Sequence, residues 1–254
     1  MKTSLGAHCD DFFASCRLFL KLDLSLERET TLHFFDRIRR EIPTLSHFRR
    51  RDTNSLVLEE QDPDARDNEP HRWLRLEQQA MRFGYLAPPS KAAWREYGQF
   101  LIEQAPYHLT INDLDLDHIE LVYGFDLEYS GNHDQLVAET FFADHPLTPL
   151  LLGDEAVHTI DCQPYFGIAL TPDCDTQAYV EIKGRTSSFE VRTGEYEAQV
   201  LSVYLTLRRY WAYSEPTALL PTFAQLVNLA DELAAQRVVP LVVNPLALAI
   251  ASRS

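Results

Sequence analysis

The chain passes through the same succession of patterns twice. An alternating segment at residues 19–25 leads into a helical pattern that ends at Phe34 and Phe35. A second alternating segment at residues 123–130 leads into a helical pattern that ends at Phe141 and Phe142. Strand and helix periodicities differ, so a repeated switch between them limits the folds that the chain can adopt.

Each half then continues with further extended segments and closes with a helix that begins with an aromatic residue, Trp94 or Phe223. This order predicts two pseudo-repeated halves of strand, helix, strands and helix, residues 16–106 and 119–236, and a docked C-terminal tail over residues 237–254. No Gly/Ser-rich linker separates the halves. We therefore expect residues 1–254 to form a single α+β domain with a mainly antiparallel sheet and helices on one face.

In the first half, alternation predicts a strand over residues 16–25 with its leucines on the buried side. Ser25 is then expected to cap a helix that Pro43 ends. Residues 62–70 are polar and bounded by prolines, which predicts a hairpin loop. Residues 72–86 are predicted to form one long strand, and Ser90 is expected to cap the following helix.

In the second half, residues 119–129 alternate clearly and Asn132 is expected to begin a helix. Extended segments are predicted over residues 157–170, 179–192 and 198–210. The last helix is predicted over residues 221–236 from the spacing of its apolar side chains.

The formal net charge of −15 constrains the partners. Phosphate backbones and anionic lipid surfaces repel such a chain, so we expect no binding to nucleic acid or membranes. A basic protein is the favoured partner. Two groups of arginines near residues 37–51 could contact phosphates, but a solvated helix end is the preferred interpretation.

Four cysteines in 254 residues, without zinc or Cys-x-x-Cys spacing, favour a reducing compartment. We find no pattern of a secretory signal, and the apolar stretch over residues 238–251 is too short to cross a bilayer. The expected location is the cytoplasm, without a membrane anchor.

Several candidates for chemistry are found, each with a simpler explanation. Carboxylates alternate over residues 113–117 as Ca²⁺ ligands could, although the glycine of an EF-hand loop is missing. The His8 imidazolium could activate the thiol of Cys9 or Cys16, but no oxyanion hole is identifiable. Residues 184–188 are more typical of a hairpin turn than of a phosphate loop. His145 and His158 each lie near an aspartate. No metal, cofactor or catalytic residue is predicted, which favours a role other than catalysis.

Two resemblances add to this interpretation. A sheet with four helices on one face resembles the topology of TATA-binding-protein-like folds, in topology only. The chain also resembles a sporadically distributed family of uncharacterised bacterial proteins through the order of Trp94-Arg95-Glu96-Tyr97, Tyr123-Gly124-Phe125-Asp126 and Tyr179-Val180-Glu181-Ile182 before a C-terminal helix. That resemblance implies a bacterial origin and no catalytic residues.

The strongest candidate site is the side of the sheet without helices. The polar sides of the predicted strands carry Trp73, Arg75, Tyr204, Arg208 and Tyr210. Aromatic and guanidinium groups contribute most of the binding energy at protein interfaces, although they also form ordinary cross-strand pairs.

From these observations we expect a non-catalytic, acidic binding protein that sequesters a basic protein partner. Two alternatives stay open. One is a small-molecule binder or enzyme that uses a groove between the halves, with His145, His158 or the carboxylates at residues 113–117. The other is a structural homodimer that buries the uncovered sheet face.

Overall fold

The computed structural model describes residues 5–52, 55–60, 69–153, 158–211 and 218–253. Within these residues nine strands form one antiparallel sheet in the order β2-β3-β4-β5-β1-β6-β9-β8-β7. The strands are β1 Asp11–Leu20, β2 His47–Asp52, β3 Ser55–Glu59, β4 His71–Glu77, β5 Ala80–Leu86, β6 Leu116–Tyr129, β7 Tyr165–Ala169, β8 Thr176–Lys183 and β9 Gln199–Tyr210.

The helices are distributed among the strands along the chain. They are α1 Arg28–Glu41, α2 Lys91–Leu109, α3 His133–Phe142, α4 Thr148–Leu151, α5 Ser188–Thr193, α6 Leu219–Leu233 and α7 Asn244–Ala251, with a π-helical segment Ala234–Val243 between the last two. The prediction of an α+β protein with a mainly antiparallel sheet is confirmed.

One face of the sheet is apolar and covered by helices. Phe83 of β5 contacts Trp94 of α2 and Phe223 of α6 on this face, and Phe35 of α1 contacts Phe48 of β2. Strand residues two apart point to the same face, so alternate residues of each strand point away from these helices. We call that opposite side the open face.

The strand order places the two halves side by side. The first strand of each half, β1 or β6, pairs with the last strand of the same half, β5 or β9, and β1 also pairs with β6. The superposition of residues 16–106 on 119–236 stays a prediction.

Several helix starts follow from the sequence. The Ser90 hydroxyl accepts a hydrogen bond from the Ala93 N–H at 3.0 Å, and the Asn132 side chain accepts one from the Gln135 N–H at 3.0 Å. Both caps are confirmed. Ser25 does not cap α1, which begins at Arg28 without a side-chain cap.

Other boundaries differ from the predictions. β1 covers Asp11–Leu20, so the predicted strand over residues 16–25 began and ended too late. The segment before β1 is attached to β6, because the Asp10 carboxylate accepts a hydrogen bond from the Glu128 N–H at 2.7 Å. The predicted loop over residues 62–70 lies mostly outside the described residues.

Two predicted strands have a different form. Residues 72–86 are a hairpin of β4 and β5 that turns at Gln78 and Gln79. The segment over residues 179–192 ends its strand at Lys183, and α5 follows because Ser187 and Glu190 form reciprocal hydrogen bonds of a capping box. Of the predicted strand over residues 157–170, residues 158–170 are described, and Tyr165–Ala169 among them form the strand β7.

The C-terminal segment is helical rather than an irregular tail. Leu219–Ala251 form one helical run of 33 residues that contains Pro240. Proline is tolerated there because the turns around it are π-helical and their hydrogen bonds span five residues. For example, the Asn244 N–H donates to the Val239 carbonyl. The run is long and apolar enough to cross a membrane by length and composition, with mean hydropathy 1.6 and 28% of that window buried. Core helices of soluble proteins also meet this criterion, so it alone does not establish a membrane span.

Helix α2 yields a first prediction, at Gly98. Replacing a helical glycine with alanine stabilises an exposed helix by about 1 kcal/mol. Here a Cβ atom would lie 2.3 Å from Cζ of the buried Phe223. We therefore expect Gly98→Ala to lower the free energy of unfolding, by about 1 to 3 kcal/mol, in urea denaturation. An unchanged or higher stability would contradict this packing.

Candidate functional site on the open face

The open face carries a line of arginines in one register across the sheet. Arg49 of β2 lies opposite Val57 of β3, which lies opposite Arg75 of β4. The line continues through neighbouring strands to Arg82, Arg17, Glu120 and Arg208. We call Arg17, Arg49, Arg75, Arg82 and Arg208 the arginine row.

Carboxylates neutralise part of the arginine row. Glu77 accepts a hydrogen bond from Arg17 at 2.7 Å and lies 3.5 Å from Arg75. Glu120 pairs with Arg208 at 2.7 Å and Glu59 pairs with Arg49 at 2.6 Å. Five guanidinium groups therefore face three carboxylates, and the row keeps a positive surplus inside a strongly acidic protein.

That surplus lies at the centre, where three arginines occupy consecutive register positions on β4, β5 and β1. Neighbouring strands are about 4.8 Å apart, so these like charges are close. Burial, followed by the charges of Arg17 and Arg75, lowers the pKa of Arg82 from its ordinary value. We call Arg17, Arg75 and Arg82 the central cluster.

The central cluster has unused donors. Within the described residues Arg82 forms no ion pair, and its Cζ lies over the Trp73 ring at 5.5 Å from the centroid. In the same part of the chain, the buried Nε atoms of Arg17 and Arg75 have no hydrogen-bond partner. A buried N–H without a partner is unfavourable.

Aromatic rings flank the arginine row. The Trp73 ring lies across Gly84, where a Cβ atom would come within 2.6 Å of it, so a residue without a side chain is needed there. On the other side, Phe19 stacks on His118 at 3.9 Å and His118 stacks on Tyr210 at 5.0 Å. Flat rings beside fixed guanidinium groups give a surface that can desolvate a partner.

The structure places all five sequence-predicted site residues on the open face. Arg75 belongs to the central cluster and Trp73 lies beside it, whereas Tyr204, Arg208 and Tyr210 lie on β9. Further open-face residues were missed, among them Phe13, Arg17, Arg82, Glu120 and Tyr179. Alternation along β1 was the signal for Arg17. Arg82 had no such signal, because interpreting residues 72–86 as one strand places it on the opposite face of the sheet.

The carboxylates at residues 113–117 are used separately. Asp113 accepts a hydrogen bond from the Leu219 N–H at the start of α6, and Asp115 accepts one from the Asn112 N–H. Asp117 lies 2.7 Å from the His118 ring. In the described ranges, no three His, Cys, Asp or Glu side chains are grouped to hold a metal ion.

Two of the four cysteines, Cys16 and Cys162, are poor nucleophiles. Cys16 is fully buried, and burial followed by the charge of Glu120 raises the pKa of its thiol well above the ordinary value. Burial and the nearby Asp134 and Asp161 raise the pKa of Cys162 to about 11. Both remain thiols at neutral pH, and the thiolate is the reactive form.

A buried polar cluster that the sequence did not reveal surrounds His133 and Asp134. The His133 Nδ1 accepts a hydrogen bond from the Arg185 N–H at 3.2 Å, so Nε2 carries the proton and donates to the Tyr129 carbonyl. Asp134 accepts a hydrogen bond from the Cys162 N–H at 2.8 Å. Burial lowers the pKa of His133 and raises that of Asp134. These bonds attach two loops to α3, which is a structural role.

The seam between the halves is closed within the sheet by the β1–β6 ladder. On the helix side, a cavity of about 480 Å³ lies between the end of α2 and the start of α6, with Tyr107, Asn112 and Asp113 in its wall. His145 accepts a hydrogen bond from the Leu147 N–H in the turn after α3, and His158 is exposed. Neither histidine lines this cavity.

Comparison of the chain with protein-family models, curated proteins and solved structures finds no match. The two resemblances seen in the sequence therefore stay expectations, and the local chemistry of the open face carries the functional argument.

Proposed function

We propose that the protein is a non-catalytic binding protein whose open face receives a protein partner, and that the central cluster binds an acidic segment of that partner. The observation that carries the proposal is Arg82, a half-buried arginine between two others, with a tryptophan ring beside it and no ion pair in the described part of the chain.

The charge of the contact surface decides the kind of partner. The net charge of −15 favours a basic partner, as the sequence suggests. However, charges more than about 8 to 10 Å away are largely screened at physiological salt. A segment on the open face therefore meets the arginine row first. The alternative is that a basic partner binds acidic parts of the surface outside the open face.

The guanidinium geometry suits carboxylates. Arginine offers a planar set of N–H donors that match two carboxylate oxygens, and such charge-assisted bonds contribute about 1.5 to 3 kcal/mol each. A glutamate side chain near Arg82 would pair with a half-buried guanidinium that has no ion pair in the described residues. It would also relieve the repulsion among three neighbouring cations.

Arg82→Gln tests this proposal with a glutamate-rich peptide as the probe. We expect the wild-type protein to bind this peptide, and the variant to bind it roughly tenfold more weakly or worse, because one charge-assisted interaction is lost. Titration calorimetry measures the affinity. Arg39→Gln is the matched control, because Arg39 is exposed on α1 and its removal changes the net charge equally.

Stability separates binding from a structural role. Removing Arg82 relieves like-charge repulsion, so we expect Arg82→Gln to melt at or above the wild-type temperature. A variant that melts much lower would indicate a structural arginine. Equal losses of peptide binding in Arg82→Gln and Arg39→Gln would show that only the net charge of the protein matters, and would refute the site. Preferential binding of a lysine-rich peptide, unchanged in Arg82→Gln, would refute it as well.

Three further parts of the proposal have separate support. The seam cavity of about 480 Å³ keeps a small-molecule ligand as the second candidate function. The matched strand adjacency, β5 beside β1 and β9 beside β6, supports the proposal that the halves are copies of one unit. The four free cysteines, three of them buried, support a cytoplasmic location.

A further inference from the structure

The two edges of the sheet differ in chemistry. The edge strand β2 carries three consecutive arginines, Arg49 to Arg51, and charge on an edge strand discourages pairing with another chain. The other edge strand, β7, reads Tyr165-Phe166-Gly167-Ile168-Ala169, and all five residues are exposed. An apolar, uncharged and accessible edge strand is a template for a further strand.

Exposed apolar side chains are concentrated in β7 and in the segment of the chain that precedes it. Fourteen large apolar side chains are exposed in the described residues, and six of them belong to residues 147–168. They are Leu147, Leu150, Ile160, Tyr165, Phe166 and Ile168. Helix α4 is attached to this region, because the Thr159 hydroxyl donates a hydrogen bond to the Leu151 carbonyl at 2.6 Å.

The backbone of β7 has a defined set of outward groups. The Ile182 N–H donates to the Pro164 carbonyl and the Leu170 N–H donates to the Thr176 carbonyl, so even-numbered residues bond to β8. In an antiparallel ladder the alternate residues then point their N–H and C=O groups away. For β7 these are Tyr165, Gly167 and Ala169.

We propose that β7 pairs with β7 of a second copy of this chain, antiparallel about a two-fold axis at Gly167. In that register Tyr165 lies opposite Ala169 of the second copy, and the reverse, so a large side chain meets a small one each time. Gly167 lies opposite Gly167 of the second copy. In each copy the Tyr179 ring occupies the space that a Cβ atom on Gly167 would fill.

The same register pairs the apolar side chains on the other face. Phe166 lies opposite Ile168 of the second copy at positions that are not hydrogen-bonded, where side chains approach most closely. The outward groups of residues 165, 167 and 169 would all be satisfied between the copies. This dimer joins the two sheets edge to edge and leaves both open faces accessible, whereas a dimer through the open face would bring two arginine rows together.

Light scattering and sedimentation of the purified full chain test this inference. We expect a dimer for the wild type and a dissociation constant roughly tenfold higher or more for Phe166→Lys, because a charge would be buried against Ile168. Leu248→Lys is the control, since Leu248 is 72% exposed on α7 and lies outside the edge. We also expect added salt to preserve the dimer, because it screens the repulsion between two acidic chains.

Cross-linking tests the register independently of that variant. In a Cys174→Ser background, a mixture of Phe166→Cys and Ile168→Cys proteins should oxidise to the mixed disulfide in preference to either self-linked dimer. Three results would overturn the inference: a monomer at tens of micromolar wild-type protein, a dimer that Phe166→Lys leaves intact, or indiscriminate cross-linking. Because the dimer and peptide binding are measured separately, failure of one leaves the other proposal standing.

Discussion

Phe83→Ala is expected to lower the free energy of unfolding by about 3 to 5 kcal/mol, the usual cost of removing a fully buried aromatic side chain. Phe83 has no exposed surface and points from β5 to the helices. Its ring centroid lies 5.8 Å from that of Trp94 and 6.1 Å from that of Tyr97, both in α2. It also lies 6.1 Å from Phe223 of α6, so the cavity would open where the helices of the two halves meet.

Chemical denaturation monitored by tryptophan fluorescence measures this loss. Phe189→Ala is the control, because Phe189 is 59% exposed on α5 and surface substitutions usually change stability by less than about 0.5 kcal/mol. If Phe83→Ala cost no more than this control, the seam between α2 and α6 would not be packed as described. A cooperative transition in the variant would show that the two halves still unfold together.

Much of the fold was predictable because burial imposes simple periods on the sequence. β6 and β9 alternate over most of their lengths, and the predicted segments 119–129 and 198–210 agree with them to within a few residues. Helix α2 has both a serine cap and a buried stripe that includes Trp94, Tyr97 and Leu101. Helix α2 therefore had two independent signals, and the two strands had one strong signal each.

The hairpin at residues 72–86 shows why the rest could not be predicted. A two-residue turn reverses the parity of alternation, so odd-numbered residues of β4 share a face with even-numbered residues of β5. The turn is formed by two glutamines, which lack the backbone preferences of the glycine, asparagine or proline that usually mark turns. One unrecognised turn therefore moved Arg82 to the wrong face.

The candidate site depends on register even more than the fold does. Trp73, Tyr204 and Arg208 were found from alternation within single strands. The arginine row became visible only when six strand pairings placed its members in one line. Long-range register depends on tertiary packing, which no local pattern contains.

The double replacement Trp73→Ala with Tyr204→Ala is expected to weaken binding of the glutamate-rich peptide by about 2 kcal/mol or more, which is roughly thirtyfold. The Trp73 ring lies beside Arg82 and across Gly84. Tyr204 approaches Phe13 at 6.2 Å over Gly124. Both rings would lose exposed surface under a bound segment, and interface anchors of this kind contribute most of the affinity.

Melting temperature decides between an interface and a core role for these two rings. Trp73 and Tyr204 are only half-buried, so we expect the double variant to melt near the wild type, unlike Phe83→Ala. Tyr107→Ala is the control on the helix side, where the ring is 83% exposed. Weak binding with a near-normal melt assigns the rings to partner recognition. A large fall in melting temperature would instead show that they support the sheet, and peptide affinity unchanged in the double variant would remove them from the site.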